Sequence, residues 1–254
     1  MSHTWPRLYV DTPLQEGSDV ILTAEQSHYL LQVMRRQQDD PVRLFNGLDG
    51  EWLARIGEIP RSKKKGITLK ITKNYRIQAP EPALTLFAAP IKRAHFEFLV
   101  QKATELGVKA IQPILTTHTQ IKDINPTRLS MIAIEAAEQS ERLSIPVIRD
   151  TLPLKKVISD WNPTIRPLLC AEFGQASPIG DALIKLSHQE SVPTGIFTGP
   201  EGGFTQEEME LFQTLPDIMP LRLGPRILRA DTAAIAAVTC WQALCGDWRK
   251  NELS

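Results

Sequence analysis

The chain is short of the features that mark most specialised proteins. Its 254 residues include 3 cysteines, Cys170, Cys240 and Cys245, all in apolar stretches. An odd count with no metal-ligand spacing excludes a disulfide framework, points to a reducing compartment and gives no reason to expect a metal. Net charge is missing too: 29 Lys and Arg balance 29 Asp and Glu. No global field therefore draws the protein to nucleic acid or membrane. No apolar run approaches the ~20 residues of a membrane span. The opening MSHTWPRLYV has no signal-peptide core, so a soluble cytoplasmic protein is expected. Nucleotide signatures are absent as well: no G-x-G-x-x-G follows a strand and no Gly-Lys-Ser/Thr follows a glycine loop. That argues against a dinucleotide oxidoreductase or a phosphate-loop enzyme.

What is present divides in two. Residues 1–80 carry 12 Lys/Arg against 9 Asp/Glu, and the remainder carries 17 against 20. A basic front piece on an acidic body suits a nucleic-acid grip joined to a catalytic domain. Up to Arg76 the sequence reads as short strands, RLYV, DVILT, PVRLFNG, EWLARIGEI and GITLKITKNY, separated by turn residues. One helix, TAEQSHYLLQVM, opens on Thr23 as its N-cap. Several strands with so little helix predict a small barrel over residues 1–76, and the proline-bearing RIQAPEPA reads as a linker. From residue 82 to 254 strand and helix alternate. LTLFAAP, KAIQPIL, PLLCAEF, GIFTG and MPLRLG are the strands; a helix stopped by Gly107 and one capped by Asn125 with Pro126 at its first position lie among them. Such alternation predicts an α/β domain with a mostly parallel sheet, covered on both faces and binding ligand at its strand ends.

Two Gly-Pro loops fall at those ends. In GPEGGFTQEE, Gly199, Gly202 and Gly203 allow a ligand or another loop to come close, Pro200 stiffens the turn, and Thr205 with Glu208 spells a capping box. In LGPRILRADTA, Gly224 and Pro225 end a strand, and Asp231 or Thr232 is placed to cap an Ala-rich helix. That helix is apolar on nearly every side and is expected to be buried, in part against a second subunit. Glu201 and Asp231 would repel a polyphosphate, so the loops suit a neutral or cationic ligand held by backbone groups. Taken singly, each loop reads as a connecting turn with ordinary caps; their joint occurrence on consecutive strand ends favours a site.

Taken together, GPEGGFTQEE, LGPRILRADTA, VQKATELGVKAIQPI and EAAEQSER resemble the RsmE family, ribosomal RNA small-subunit methyltransferases that modify N3 of a uridine in 16S rRNA. The resemblance spans nearly the whole chain. It implies an α/β domain of the SPOUT class, tied into a trefoil knot, preceded by a PUA-like RNA-binding β-barrel and working as a homodimer. It implies S-adenosylmethionine as cofactor, bent among three loops: Cys170 and Ala171; Thr198, Gly199, Pro200, Glu201, Gly202 and Gly203; and Leu223, Gly224, Ile227, Leu228 and Thr232. Leu223, Ile227 and Leu228 would give an apolar wall.

Methyl transfer to uridine N3 needs the nitrogen placed in line with the donor and its proton removed. Arg229 is the expected stabiliser of charge on the uracil oxygens, with a loop salt bridge to Asp231 as its structural alternative. Glu201 and Asp231 are candidate proton acceptors. Arg7, Arg35, Arg36, Lys92 and Arg93 are candidate RNA contacts, as are Arg61, Lys63, Lys64 and Lys65, Gln101 and Lys102; such contacts add salt-dependent affinity and little sequence information. Glu135, Glu138, Gln139 and Arg142 fall on one predicted helix face, which suits support of the knot or of a partner subunit. His28 reads as a packed or capping side chain. His118 stands where the resemblance leads one to expect Arg, which removes a bidentate fork. A non-catalytic RNA-binding assembly protein is the competing reading.

Overall fold

The front strands form as the alternation of apolar residues dictates. In the computed structural model, which describes residues 5–60, 66–121, 123–171 and 176–249, they are β1 (Arg7–Tyr9), β2 (Asp19–Ile21), β3 (Pro41–Phe45), β4 (Glu51–Ile56) and β5 (Thr68–Arg76). They hydrogen-bond in the order β1-β3-β4-β5-β2, with β1 and β3 parallel and the other pairs antiparallel. Inward residues such as Leu8, Val20, Val42, Leu44, Ile56, Leu69 and Ile71 make one core. Register shifts in the β4–β5 ladder, of the kind that bend a strand, lie at Glu51/Trp52 and Leu53/Ala54. Helix α1 (Ala24–His28) starts on Thr23, whose hydroxyl accepts the Gln26 N–H while the Gln26 side chain returns to the Thr23 N–H. Residues Tyr29–Val33 continue as a π-helical turn, where periodicity alone predicts one uninterrupted α-helix.

The compact unit built on this sheet comprises residues 1–80 together with 137–145; the second comprises 81–136 and 146–254. The return of 137–145 has an electrostatic cause. Glu51, fully buried, meets Arg7, Arg76 at 2.8 Å and Arg43 at 3.7 Å. These guanidiniums need more acceptors than one carboxylate offers, and residues 137–145 supply them. Arg7 donates to the carbonyls of Ala137 and Arg142, Arg43 to the Glu141 carboxylate at 2.8 Å, and Arg76 to the Glu141 carbonyl at 2.9 Å. The Tyr9 N–H donates to Glu138. Burial pulls the Arg7 pKa down, and the hydrogen bond to Glu51 pushes back.

The second unit is entirely parallel among the described residues. Its strands are β6 (Leu84–Ala88), β7 (Ala110–Leu115), β8 (Val147–Ile148), β9 (Leu152–Pro153), β10 (Arg166–Cys170), β11 (Ser177–Pro178), β12 (Thr194–Thr198) and β13 (Met219–Arg222). The order is β11-β13-β10-β12-β6-β7-β8, with β9 on β7. The helices are α2 (Arg93–Glu105), α3 (Pro126–Gln139, of which 137–139 group with the first unit), α4 (Leu154–Ser159), α5 (Ile179–Ser187), α6 (Gln206–Phe212) and α7 (Ala230–Leu244). Strand β12 is inserted between β10 and β6, and β13 lies outside β10. Helix α7 then returns to pack on β12, β6, α2 and α5. Phe87 and Phe197 of the sheet stack on each other, Trp161 packs tilted against Phe87, and Phe212 of α6 meets Phe197 edge to face. Gly195 is glycine because a Cβ there would lie 2.8 Å from the Phe87 ring and 2.9 Å from Trp161.

Three local expectations are revised. Helix α7 has Arg229, not Asp231 or Thr232, at its N-cap, with no side-chain cap bond. It buries one face, Ala234, Ala237, Val238, Trp241 and Gln242, and leaves Ala233, Ala236 and Cys240 partly exposed in the single chain. Helix α3 ends at Gln139, so Arg142 is not on its stripe and is itself buried.

Candidate active site

Parallel pairing brings the carboxyl ends of β6, β10, β12 and β13 to one edge of the sheet. Thr198 pairs with Ala88, and its carbonyl accepts the Ala89 N–H at 3.2 Å; Cys170 pairs with Leu221, and the Ala171 N–H reaches the Leu221 carbonyl at 3.0 Å. The predicted segments at Cys170–Ala171, Thr198–Gly203 and Leu223–Thr232 thus leave neighbouring strands at the same edge.

The glycine loop is braced from beneath. Thr205 caps α6, and Glu208 completes the box by accepting the Thr205 N–H at 2.9 Å. The other Glu208 oxygen accepts the Thr117 N–H at 2.7 Å and its hydroxyl at 3.1 Å, which fastens the loop after β7 to the glycine loop. His118 completes the contact: Nδ1 lies 2.9 Å from the Gly202 carbonyl and 3.2 Å from that of Gly203. Carbonyls only accept, so Nδ1 carries the hydrogen. A Cβ on Gly202 would come within 2.9 Å of the His118 Cβ; this glycine serves the approach of another loop. Gly203 is left-handed at φ +67°.

The third loop has room. Gly224 has φ +116° and nothing within 4 Å of where a Cβ would be. Ile227 is 81% exposed, while Leu223 and Leu228 are half-buried. An exposed isoleucine between two half-buried leucines is an apolar strip ready to be covered by a flat ligand. Burial, with the neighbouring Cys240, pushes the Cys170 thiol up to about 12. It therefore stays protonated and is no competitor for an electrophile. Glu201 and Arg229 are exposed, and neither makes an ion pair or side-chain hydrogen bond among the described residues. The salt bridge between Arg229 and Asp231 is not formed: Asp231 takes the Thr232 N–H at 2.7 Å and His95 Nδ1 at 2.9 Å. His95 escaped the sequence reading, since its partner lies 136 positions away.

The RNA candidates separate. Arg7 is corrected: it is 7% exposed, with its donors spent on Glu51 and backbone carbonyls, so it has nothing to offer a phosphate. Arg35 and Lys92 are exposed and Arg36 is half-buried. Arg93 is exposed but hydrogen-bonded to Glu97 at 2.8 Å, and Lys102 is held by Glu105. Arg61, Lys63, Lys64 and Lys65 lie outside the described residues. His28 is exposed in the last turn of α1 and is not packed. A separate cleft of about 480 Å³, lined in part by Ile91, Phe96, Glu97, Ile124 and Arg128, opens between α2 and the start of α3. Among the described residues no three His, Cys, Asp or Glu side chains gather as metal ligands, and no helix is long and apolar enough to cross a membrane.

Comparison with known proteins agrees with this architecture. The RNA methyltransferase domain family matches residues 79–242, and the RNA methyltransferase PUA domain family matches residues 22–71. Ribosomal RNA small subunit methyltransferase E of Rickettsia conorii is 35% identical over 91% of this chain and 93% of its own length. The Neisseria gonorrhoeae enzyme of that name, solved bound to S-adenosyl methionine, superposes with a TM-score of 0.85 at 26% identity, covering 96% of this chain and 99% of the other. A Legionella pneumophila methyltransferase structure in complex with SAM gives 0.83 at 29% identity, with coverage of 96% and 99%. Fold and full-length similarity agree, and the chain belongs to the ribosomal RNA small subunit methyltransferase E family.

Proposed function

We propose that this protein is an S-adenosylmethionine-dependent methyltransferase acting on N3 of a uridine in 16S rRNA of the small ribosomal subunit, as a cytoplasmic homodimer. The observation that carries this reading is that three segments, Cys170–Ala171, Thr198–Gly203 and Leu223–Thr232, leave neighbouring strands at one edge of a parallel sheet. Backbone groups of the first two loops would hold the adenosine. Leu223, Ile227 and Leu228 would cover its apolar faces, and the open space beside Gly224 fits a ligand edge. Glu201 and the Asp231 carboxylate suit a sulfonium where they would reject polyphosphate. The bound cofactor supplies an electrophilic methyl group. The chain's own task is to place the uridine nitrogen in line with it, to exclude water and to remove one proton.

Arg229, exposed and without a side-chain partner among the described residues, stabilises the charge that develops on the uracil oxygens when N3 loses its proton. Arg35, Arg36, Lys92 and Arg93 supply RNA-backbone contacts. The partly exposed strip Ala233, Ala236 and Cys240 on α7 suits a second copy of the chain.

Calorimetric titration with S-adenosylmethionine, NAD and ATP tests the ligand: only the methyl donor gives saturable heat. A non-catalytic RNA-binding protein would give none. Mass spectrometry of small-subunit rRNA from cells lacking the protein, with and without complementation, tests the product. Arg229→Ala should keep cofactor binding and lose about 10²–10³-fold in rate; full activity in this variant would remove Arg229 from the mechanism. A monomeric mass by light scattering at assay concentration would contradict the dimer.

A further inference from the structure

The proton on uridine N3 needs an acceptor, and the loop residues supply a poor one. Glu201 is exposed on its loop with nothing among the described residues to orient it. The Cys170 thiol sits at about 12, and its conjugate base would itself be a methyl acceptor. Asp231 has both oxygens engaged already, one by the Thr232 N–H and hydroxyl and the other by His95.

His95 meets the requirement. It stands in the first turn of α2, shortly after β6, whose end pairs with Thr198 of the glycine loop. Its partner Asp231 follows Arg229 by two residues. Nδ1 lies 2.9 Å from the Asp231 carboxylate. Burial alone would raise the Asp231 pKa, but the bonds from His95 and the Thr232 N–H hold it below the ordinary carboxylate value. Asp231 is thus an anion that only accepts, so Nδ1 carries the hydrogen, and in the neutral ring the lone pair is then on Nε2. The carboxylate side chain is 12% exposed and the imidazole 44%: the orienting group lies inside, and the ring keeps an edge that a substrate can reach. A base oriented by a buried carboxylate recurs in acyl-transfer enzymes for the same physical reason.

We propose that His95 is the general base that takes the N3 proton, with Asp231 as its positioning residue; this rests on the uridine-methyltransferase reading above. The Nε2 lone pair bonds to the proton as the N3–H bond breaks. The freed pair on N3 forms the bond to the methyl carbon, and the carbon–sulfur bond breaks with its electrons on sulfur, leaving a neutral thioether. The imidazolium is balanced by Asp231 and returns its proton to water through the exposed edge. Arg229, on the same segment as Asp231, holds the uracil oxygens.

The test uses the full-length protein and small subunits from cells lacking it. His95→Ala should bind S-adenosylmethionine within about threefold of wild type by calorimetry. It should lose about 10²–10⁴-fold in single-turnover methylation and recover at least about tenfold with added imidazole. His95→Gln, which preserves bulk, should lose activity without rescue and covers the case in which the alanine variant fails to fold. Independently of activity, long-range ¹H–¹⁵N spectra of histidine-labelled protein should show His95 as the Nδ1–H tautomer, and Asp231→Asn should abolish that preference. His118 also has its Nδ1 engaged, though by carbonyls, so His118→Ala is the control. Wild-type rate in the two His95 variants, or imidazole rescue of His118→Ala in place of His95→Ala, overturns the proposal. A wild-type protein that methylates no uridine overturns the functional reading while leaving the tautomer result standing.

Discussion

Gly202 has no space for a side chain, because a Cβ would lie 2.9 Å from the His118 Cβ and 3.1 Å from its ring. Gly202→Ala therefore has to push His118 off the Gly202 and Gly203 carbonyls, and the loop should lose its shape. We expect S-adenosylmethionine affinity to fall about tenfold, roughly 1.4 kcal/mol, with little change in thermal stability. Adding His118→Gly should recover part of the loss, and calorimetry of the double mutant reads that coupling directly. Glu51 tells a different story at the same scale. It is fully buried and faces three arginines. Glu51→Ala should cost about 3–5 kcal/mol in urea denaturation, because the cations are left without their counter-charge. Changing exposed Arg35 should leave stability almost untouched. The glycine pattern was legible in the sequence as a loop that something must approach. That the approaching group at Gly202 is a histidine from the loop after β7 was not, since side-chain contacts between distant segments leave no local pattern.

At the scale of elements, α2 and α3 are tied at their first turns. Glu97 of α2 accepts from Arg93 at 2.8 Å and from Arg128 of α3 at 2.8 Å. The hydrogen bonds from Arg128 and then Arg93 depress its pKa to about 2. A carboxylate whose folded pKa is depressed contributes stability that is complete above the unfolded value and disappears as pH falls through the folded one. The tie should therefore hold throughout the neutral range, weaken only below about 4.5 and be gone near 2. A carbonyl-carbon NMR titration of Glu97 should place its midpoint near the lower value, and Arg128→Met should move it upward. The brace at Glu208 is a second case. Thr205→Ala removes a cap worth about 1 kcal/mol. Glu208→Ala should cost more, since Glu208 also satisfies the Thr117 N–H and hydroxyl. The capping box and most elements were readable because caps, periodicity and turn residues act over a few positions. The π-helical turn after α1 and the free N-cap of α7 were not, because neither follows from composition.

For the molecule as a whole, the two-part plan was visible in the change from strand-rich to alternating sequence, and the parallel sheet followed from that alternation. The strand order was not visible: inserting β12 between β10 and β6 is a matter of chain path, which hydrophobic pattern does not encode and general rules disfavour. Nor did the sequence show that residues 137–145 group with the front sheet. The run EAAEQSER reads as an amphipathic helix face, whereas its backbone carbonyls and Glu141, held at φ +60°, are acceptors for the arginine cluster. A fragment ending at residue 80 should accordingly unfold at markedly lower urea than the same unit in the intact protein, with amide protection of β1 and β3 lost first. Protection in the fragment equal to that in the full chain would show that the cluster is satisfied without 137–145.

That detour also sets a timetable for synthesis. The front sheet leaves the ribosome early, yet Arg7, Arg43 and Arg76 lack their last acceptors until residue 142 has emerged. By then β6, α2, β7 and most of α3, all of the other unit, have already been made. A nascent chain stalled before that point would carry a half-neutralised group of guanidiniums, open to any polyanion near the tunnel exit, including the ribosome's own RNA.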